Sequence, residues 1–272
     1  MKVWVGTSGY NYSEWRGTFY PANFPGPKML SFYAERFSTV EINATFYRMP
    51  TAKMMEGWVA ATPEPFTFVL KVPKRITHDS RLKDVAEPLR YFCDTARMLR
   101  AKLGPLLFQL PPYFKKDLER LKDIVVLLPT NFAAAFEFRH ASWFSDDVYD
   151  VLRSRNLALC VADTEKGTTP FVVTADFGYF RLRDEGYSEE DLRKWCELVK
   201  GAAGSWRNSF IYFKHEESGI GPELARRFKE LLSACRACSG CVKARRPYRS
   251  NPPAPDGADR RAFQIGLARS EW

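Results

Sequence analysis

The chain has 272 residues, of which 45% are hydrophobic and 15% aromatic, a composition that can bury a full core and excludes disorder over most of its length. No apolar run approaches the ~20 residues of a transmembrane helix, and the first residues, MKVWVGTSGY, lack the apolar segment of a signal peptide, so we expect a cytoplasmic protein without membrane association. The formal net charge is +9, but residues 235–272 hold eight Lys or Arg and three Asp or Glu, a net of +5, which leaves +4 for the rest of the chain.

Eight short apolar segments are predicted to be β-strands, because their length and their content of β-branched and aromatic residues favour strands over buried helix fragments. They are residues 2–6, 40–43, 66–72, 106–110, 134–138, 158–162, 178–182 and 210–213. Helical patterns bounded by proline, glycine or capping residues lie between the strands and predict seven helices. These are residues 28–36, 52–61, 87–102, 118–128, 146–155, 188–200 and 222–234.

Strands and helices alternate over residues 1–233 without a break in composition. This alternation is typical of an α/β protein with a (β/α)8 TIM barrel, which forms one domain of ~250 residues. A doubly wound open sheet is the alternative. However, the first strand is followed by Gly6-Thr7-Ser8-Gly9, which lacks the three-glycine dinucleotide fingerprint.

Residues 234–272 are predicted to be a disordered basic tail, rich in proline and arginine. Cys235, Cys238 and Cys241 form a C-x2-C-x2-C pattern in this segment. Structural zinc sites and iron–sulfur clusters of this type need a fourth ligand, which the pattern does not supply. Disorder is therefore the favoured interpretation of this segment, and metal binding is the less favoured alternative.

Polar side chains occur at the carboxyl ends of seven of the eight predicted strands, where the alternation of side chains directs them to one common mouth. They are Glu41, Asn43, Lys71, Gln109, Glu137, Arg139, Asp163, Arg181, Arg183 and Lys214. The carboxyl-terminal rim is where TIM-barrel enzymes place their active sites. The sequence therefore predicts a functional site at this end of the barrel.

The predicted mouth contains three carboxylates and five cations, a surplus of two positive charges. Buried charges are costly unless they are paired, so three ion pairs would leave two cations. A surplus of arginine in a concave site favours an anionic ligand such as a phosphate, a carboxylate or a nucleic-acid backbone. The alternative is an ion-pair layer that only stabilises the barrel rim.

Lys71, if desolvated, could be a Schiff-base lysine, because nearby cations lower the pKa of an amine. An ion pair with Glu41 is the competing interpretation. His78, in the loop after the third strand, is a candidate general base. Glu41 and Glu137 could form the carboxylate pair of a glycosidase, but neighbouring arginines would keep both ionised and disfavour an acid role.

Only three histidines, His78, His140 and His215, are present, which is too few for a histidine-rich metal cluster. We therefore assign no metal ligand and leave the cofactor open. The predicted catalytic residues are Glu41, Lys71, Glu137 and Asp163. The predicted substrate-binding residues are Asn43, Tyr47, His78, Gln109, Arg139, His140, Trp143, Arg181, Arg183 and Lys214.

Several segments around these residues together resemble the YecE-like family, also called domain of unknown function 72. The segments are 6–10 (GTSGY), 40–47 (VEINATFY), Lys71 with 76–78 (ITH), 103–112 (LGPLLFQLPP), 137–140 (EFRH) with Trp143, 162–164 (ADT), 179–183 (YFRLR) and 212–216 (YFKHE). The resemblance covers residues 1 to about 233. It implies a TIM barrel and no established activity. The barrel of the family is similar to that of apurinic endonucleases, but the metal-binding histidines of those enzymes are largely missing here.

Two classes of function remain open from the sequence. The first is an enzyme that acts on a small phosphorylated or carboxylated substrate at the barrel mouth. The second is a nucleic-acid-binding protein that contacts phosphates through the mouth and the basic tail. Nucleic-acid binding weakens steeply with salt and would depend on residues 235–272, whereas a buried small-molecule site would depend on neither.

Overall fold

Eight parallel strands form a nearly closed barrel in the computed structural model, which describes residues 1–164, 167–184, 186–216 and 219–237. The strands are β1 (Lys2–Thr7), β2 (Thr39–Ile42), β3 (Thr67–Lys71), β4 (Leu103–Gln109), β5 (Ala134–Glu137), β6 (Ala158–Thr164), β7 (Phe177–Leu182) and β8 (Asn208–Phe213). The α-helices are α1 (Met29–Ala34), α2 (Ala44–Tyr47), α3 (Ala52–Ala60), α4 (Ala86–Ala96), α5 (Leu118–Leu127), α6 (Asp146–Ser154), α7 (Glu189–Gly201) and α8 (Ile220–Ala237).

The order of the strands around the sheet confirms the predicted barrel. Strands β2 to β8 are neighbours in chain order, and β8 pairs with β1 in parallel. All eight predicted strands are present, with bounds that differ by at most three residues. The largest difference is at β4, which includes Pro105 because the β3–β4 pairing shifts register between Phe68 and Leu70, and proline is tolerated at such an irregularity.

The barrel closes between β1 and β2 by unusual means. The two strands share only one isolated bridge, between Ser8 and Glu41. Next to this bridge, the hydroxyl group of Tyr33 on α1 accepts from the Thr7 amide at 2.8 Å and donates to the Thr39 carbonyl at 3.1 Å. A side chain thus supplies the link that backbone groups supply elsewhere in the sheet.

Apolar side chains fill the barrel interior below the mouth. They are Val69, Leu107, Ala135, Ala158, Cys160, Ala175, Phe177, Tyr179, Phe210 and Tyr212. A larger apolar layer lies between the strands and the surrounding helices. Because side chains alternate along a strand, the inward positions that follow this apolar layer are occupied by Glu41, Lys71, Gln109, Glu137 and Arg181.

Several elements near the mouth have no counterpart in the prediction. Helix α2 follows β2, a π-helical turn (Arg75–Asp79) follows β3, and a 3-10 turn (Ala141–Trp143) follows β5. A two-residue strand (Gly167–Thr168) pairs antiparallel with β6. These short segments determine where the residues after the strands point.

Residues Met1–Arg236 form one compact unit, and α8 continues to Ala237, beyond the predicted end of the barrel at 233. The side chains of the C-x2-C-x2-C pattern, and residues 238–272 as a whole, lie outside the described part of the chain. No helix among the described residues is long and apolar enough to cross a membrane.

Candidate functional site

Arg181 occupies the centre of the barrel mouth and is fully buried. Its Nε donates to both oxygens of Glu41 at 3.1 Å, and Nη2 donates to Glu41 Oε1 at 2.9 Å. On the other side, Nη1 donates to Gln109 Oε1 at 3.1 Å and to Glu137 Oε2. One guanidinium therefore joins two buried carboxylates from opposite parts of the barrel, and burial of these charges is tolerable because each is paired.

Glu41 accepts further hydrogen bonds from two residues that the sequence analysis did not assign to the site. Tyr179 Oη donates to Oε2 at 2.5 Å, and the Ser8 hydroxyl donates to Oε1. Asn43, a predicted binding residue, donates through Nδ2 to Ser8 Oγ at 3.0 Å. The sequence does contain a signal for Tyr179, because this residue lies two positions before Arg181 and therefore faces the same side of β7.

Glu137 is held as a carboxylate by two arginines. Arg139 Nε donates to Glu137 Oε1 at 2.7 Å, while Arg181 occupies the other oxygen. Burial alone would raise the pKa of Glu137, but Arg181 and then Arg139 hold it well below its usual range. This environment favours a permanent anion rather than the proton donor that glycoside hydrolysis requires.

Lys71 lies at the end of β3 with 7% of its surface exposed. Its Nζ lies 3.9 Å from the centroid of the Phe46 ring. The predicted alternative, an ion pair with Glu41, is not formed, since Glu41 pairs with Arg181. Burial, and next the charge of Arg181, lower the pKa of Lys71 from 10.5 to about 7.

His78 lies beside the same aromatic ring on the π-helical turn. Its ring is edge-on to Phe46 at a centroid distance of 4.9 Å, and its Nδ1 is 2.9 Å from Thr77 Oγ1. Burial, followed by the charges of Lys71 and Arg139, lowers the pKa of His78 to about 4. The imidazole is therefore neutral near pH 7.

A pocket of about 500 Å³ opens at the mouth above β5 and β6. Its lining includes Phe138, Arg139, Phe144, Thr168, Thr169 and Arg183. Burial, together with the nearby charge of Arg139, lowers the pKa of Arg183. The pocket thus combines two guanidinium groups with hydroxyl groups and aromatic rings.

The charges at the mouth do not cancel within the described part of the chain. Two carboxylates offset two guanidiniums in the buried network, and Lys214 pairs with Glu216 at 3.3 Å. Lys71 and Arg183 have no carboxylate within ion-pair distance among the described residues. Arg183 is therefore a cation without an acidic partner among the described residues of the mouth, and Lys71 adds a second positive charge only while its amine is protonated.

Asp163 is not part of this cluster, and the predicted direction of its side chain is wrong. Asp163 lies opposite Leu182, whose side chain points outward from β7. The side chain of Asp163 therefore also points outward, and Ala162, opposite Arg181, has the inward position. The Asp163 carboxylate instead accepts hydrogen bonds from Thr168 Oγ1 and, at 2.6 Å, from Tyr187 Oη.

Three other predicted binding residues lie away from the network. Trp143 is fully buried in the outer apolar layer, where it stacks on Phe138 at 4.7 Å and donates to the Phe114 carbonyl at 2.7 Å, so its indole has no exposed surface for the substrate contact predicted for it. His140 caps the 3-10 turn by accepting from the Ser142 amide. Tyr47 lies on α2 and is 80% exposed.

No group of three or more His, Cys, Asp or Glu side chains that could hold a metal ion occurs among the described residues. The carboxylates that a metal would need are already bonded to guanidinium groups. Among the described residues, the groups at the mouth include guanidiniums, hydroxyls, the amine of Lys71 and the imidazole of His78.

Comparison with known proteins extends this description. A family described as "Protein of unknown function DUF72" matches residues 4–247, a match that runs past the predicted end of the resemblance. The chain is 24% identical to the UPF0759 protein YunF of Bacillus subtilis, over 85% of this chain and 94% of that protein. It is 26% identical to the UPF0759 protein YecE of Escherichia coli, over 57% of this chain and 55% of that protein.

The fold is also found in crystal structures of similar proteins. A DUF72 family protein (TM1631) from Thermotoga maritima has a TM-score of 0.76 and 28% identity, covering 86% of this chain and all of that one. A DUF72 family protein (EF0366) from Enterococcus faecalis has a TM-score of 0.72 at 18% identity, covering 92% of this chain and all of the other. The resemblance predicted from the motifs is thus confirmed, and the chain belongs to the DUF72 family of proteins of unknown function.

Proposed function

We propose that the barrel mouth binds a small molecule carrying a phosphate or carboxylate group and that the protein acts on it as an enzyme. The observation that carries this proposal is Arg183, a partly buried guanidinium that lines the pocket and has no acidic partner among the described residues. A bound anion would supply the missing partner and offset the desolvation of the guanidinium.

The buried network supports a functional role for the mouth. An ion-pair array of this kind is often no more stabilising than apolar side chains of similar volume. Its components converge from β2, β4, β5 and β7 at the end of the barrel where TIM-barrel enzymes place their active sites. In this arrangement Arg181 fixes Glu41 and Glu137, and through Glu137 it orients Arg139 toward the pocket.

The test is calorimetric titration of the protein with inorganic phosphate and with succinate. We expect saturable binding that Arg183→Gln weakens by about tenfold or more, which corresponds to ~1.4 kcal/mol. Arg207→Gln is the matched control, because Arg207 is an exposed arginine immediately before β8, at the opposite end of the barrel, and its ion pair among the described residues is with Asp176 at 3.3 Å.

Equal binding by both variants would contradict the proposal. The same calorimetric titration with a single-stranded oligonucleotide, repeated at increasing salt concentrations, tests the alternative that the protein binds nucleic acid. A steep decrease of affinity with salt for the oligonucleotide, without saturable binding of phosphate or succinate, would favour that alternative.

A further inference from the structure

The amine of Lys71 is not used by the buried ion-pair network. It lies on the inward face of β3, in phase with Val69 of the barrel interior, and reaches the ring of Phe46. It donates to no carboxylate among the described residues, and because its Nζ is not among the enclosed polar atoms that lack a hydrogen-bond partner there, the amine retains some exposed surface.

The two nearest buried carboxylates are occupied by other donors. Glu41 binds Arg181, Ser8 and Tyr179, and Glu137 binds Arg181 and Arg139. Each oxygen of these two carboxylates already accepts at least one hydrogen bond, so none is left unpaired for Lys71. The fold therefore buries an amine near the guanidinium of Arg181, and both burial and the neighbouring positive charge favour the neutral, nucleophilic form of a lysine, whereas the contact with the face of Phe46 favours the ammonium.

We propose that Lys71 forms a Schiff base with a carbonyl compound that also carries an acidic group. The inference rests on the proposed anion site, because Arg139, which lines the pocket and whose charge acts on Lys71, would together with Arg183 hold the phosphate or carboxylate of the same substrate. The substrate class is therefore a 2-oxo acid or a phosphorylated ketone or aldehyde. At neutral pH the lowered pKa of Lys71, about 7, leaves a large fraction of the amine unprotonated.

The reaction needs no oxidant or reductant. The Nζ lone pair forms the C–N bond while the π electrons of the carbonyl move to its oxygen, which takes up a proton to give a carbinolamine. The nitrogen then loses a proton. A second proton adds to the hydroxyl group, which leaves as water, and a C=N bond replaces C=O. The protonated imine withdraws electrons from the adjacent carbon, and the acidic group of the substrate offsets its positive charge.

His78 lies beside the reacting amine and offers it a hydrogen-bond acceptor rather than a strong base, since its pKa of about 4 is well below neutral pH. Thr77 Oγ1 donates to the Pro73 carbonyl at 3.3 Å, so its contact with His78 Nδ1 at 2.9 Å is made with the ring nitrogen as donor. This tautomer leaves Nε2 unprotonated, and the low pKa of His78 keeps the ring neutral. His78 and Lys71 contact the same Phe46 ring.

The experiment is reductive trapping on the full chain. The protein is incubated at pH 7.5 with pyruvate, with dihydroxyacetone phosphate or with the neutral ketone hydroxyacetone, then treated with sodium borohydride and mapped by peptide mass spectrometry. We expect an adduct on Lys71 that forms on the order of 100 times faster than on an ordinary surface lysine, because an amine with an unperturbed pKa is almost entirely protonated at this pH.

Lys53 provides an internal control, since it is an exposed lysine on α3. The labelling rate of Lys71 should level off just above pH 7, whereas that of Lys53 should continue to rise toward pH 10. This comparison uses only the native protein and does not depend on any variant folding. Lys71→Met should remove the fast adduct, and His78→Gln should slow its formation without abolishing it.

The outcomes distinguish this inference from the proposed anion site. No preferential adduct on Lys71 with any of the three probes would overturn the Schiff-base proposal, even if phosphate binds in an Arg183-dependent manner. Trapping of hydroxyacetone on Lys71 as efficiently as pyruvate would support the nucleophile and contradict the anion site. Preference for the acidic probes, lost in Arg183→Gln, would support both.

Discussion

Lys71 and Glu137 are ionisable side chains whose pKa values the fold lowers, and each shift makes the free energy of unfolding depend on pH. For a lysine, a lowered pKa means that the unfolded chain binds a proton more readily than the folded one. For a glutamate, it means that the folded chain keeps a negative charge where the unfolded chain has begun to lose it. The two residues therefore change the free energy of unfolding in separate pH ranges.

The first prediction concerns Lys71. Between pH about 7 and 10.5 its amine is neutral in the folded protein and protonated in the unfolded chain, so the native protein gains stability as pH rises, by up to ~1.4 kcal/mol per pH unit. Lys71→Met lacks this contribution. We expect the stability advantage of the variant over the native protein to be largest at pH 7 and to shrink by pH 9.5, as measured by urea unfolding. An advantage independent of pH would show that the amine titrates normally.

The second prediction concerns Glu137. Its stabilising charge is fully present above its usual value of 4.5 and is lost as pH falls toward the lower folded pKa. Glu137→Gln should destabilise the protein at pH 7 by about 3–5 kcal/mol, because it removes one partner of a buried charge. The difference from the native protein should decrease between pH 4.5 and 3. Glu64→Gln, at an exposed position, should be nearly neutral at both pH values.

At the scale of elements, the contact between β1 and β2 depends on a close backbone approach. A Cβ atom at Gly6 would lie 2.3 Å from the Thr39 carbonyl oxygen and 3.0 Å from Tyr33 Oη. Glycine is therefore required at this position because of space. The hydroxyl of Tyr33 can bridge the strands only while this approach is maintained.

The third prediction uses two glycines. Gly6→Ala should lower the free energy of unfolding by ~1–3 kcal/mol or more, because the added methyl group forces β1 away from β2. Gly57→Ala is the matched control, since its Cβ would meet nothing within 4 Å on α3, and alanine is favoured over glycine within a helix by ~0.5–1 kcal/mol. Chemical denaturation measures both. Equal effects of the two substitutions would contradict this account of the barrel closure.

The strands and the inward direction of Glu41, Lys71, Gln109, Glu137 and Arg181 could be predicted, because alternation along a parallel strand is a local property of the sequence. The ion-pair partner of each charge could not be predicted. The sequence does not show which carboxylates lie next to Arg181, because their positions depend on how the strands are arranged around the barrel. The capping box at the start of α7 also follows from a local pattern, Ser188-x-x-Asp191, and is present.

Prediction failed at Asp163 and at Trp143 for different reasons. Asp163 lies within β6 and shares the outward parity of Val161, although the sequence analysis assigns that parity to the mouth. Trp143 follows β5 on a 3-10 turn that returns the indole to the apolar layer outside the barrel. Tyr33 was not assigned a role, because nothing local to α1 indicates that its hydroxyl reaches two strands.

At the scale of the whole molecule, the net charge of +9 has two separate sources. Residues 238–272 hold seven Lys or Arg and three Asp or Glu, a net of +4, which leaves +5 for the part that contains the barrel. On the described helices, many basic side chains pair with acidic ones one turn away, as Arg226 does with Glu230 and Lys194 with Glu190. At the mouth, Arg183 has no such partner among the described residues.

The fourth prediction separates these two sources of charge. A chain ending at residue 237 retains all eight strands and α8, so we expect a melting temperature within about 2 °C of that of the full chain, less than the shift that 1 kcal/mol produces in a domain of this size. Phosphate and succinate should bind with unchanged affinity, because Arg139 and Arg183 are retained. The salt dependence of oligonucleotide binding should become weaker, since fewer cations can displace counterions. Loss of phosphate or succinate binding in the shortened chain would show that residues 238–272 take part in the site, and a large decrease in melting temperature would show that the barrel needs them to fold.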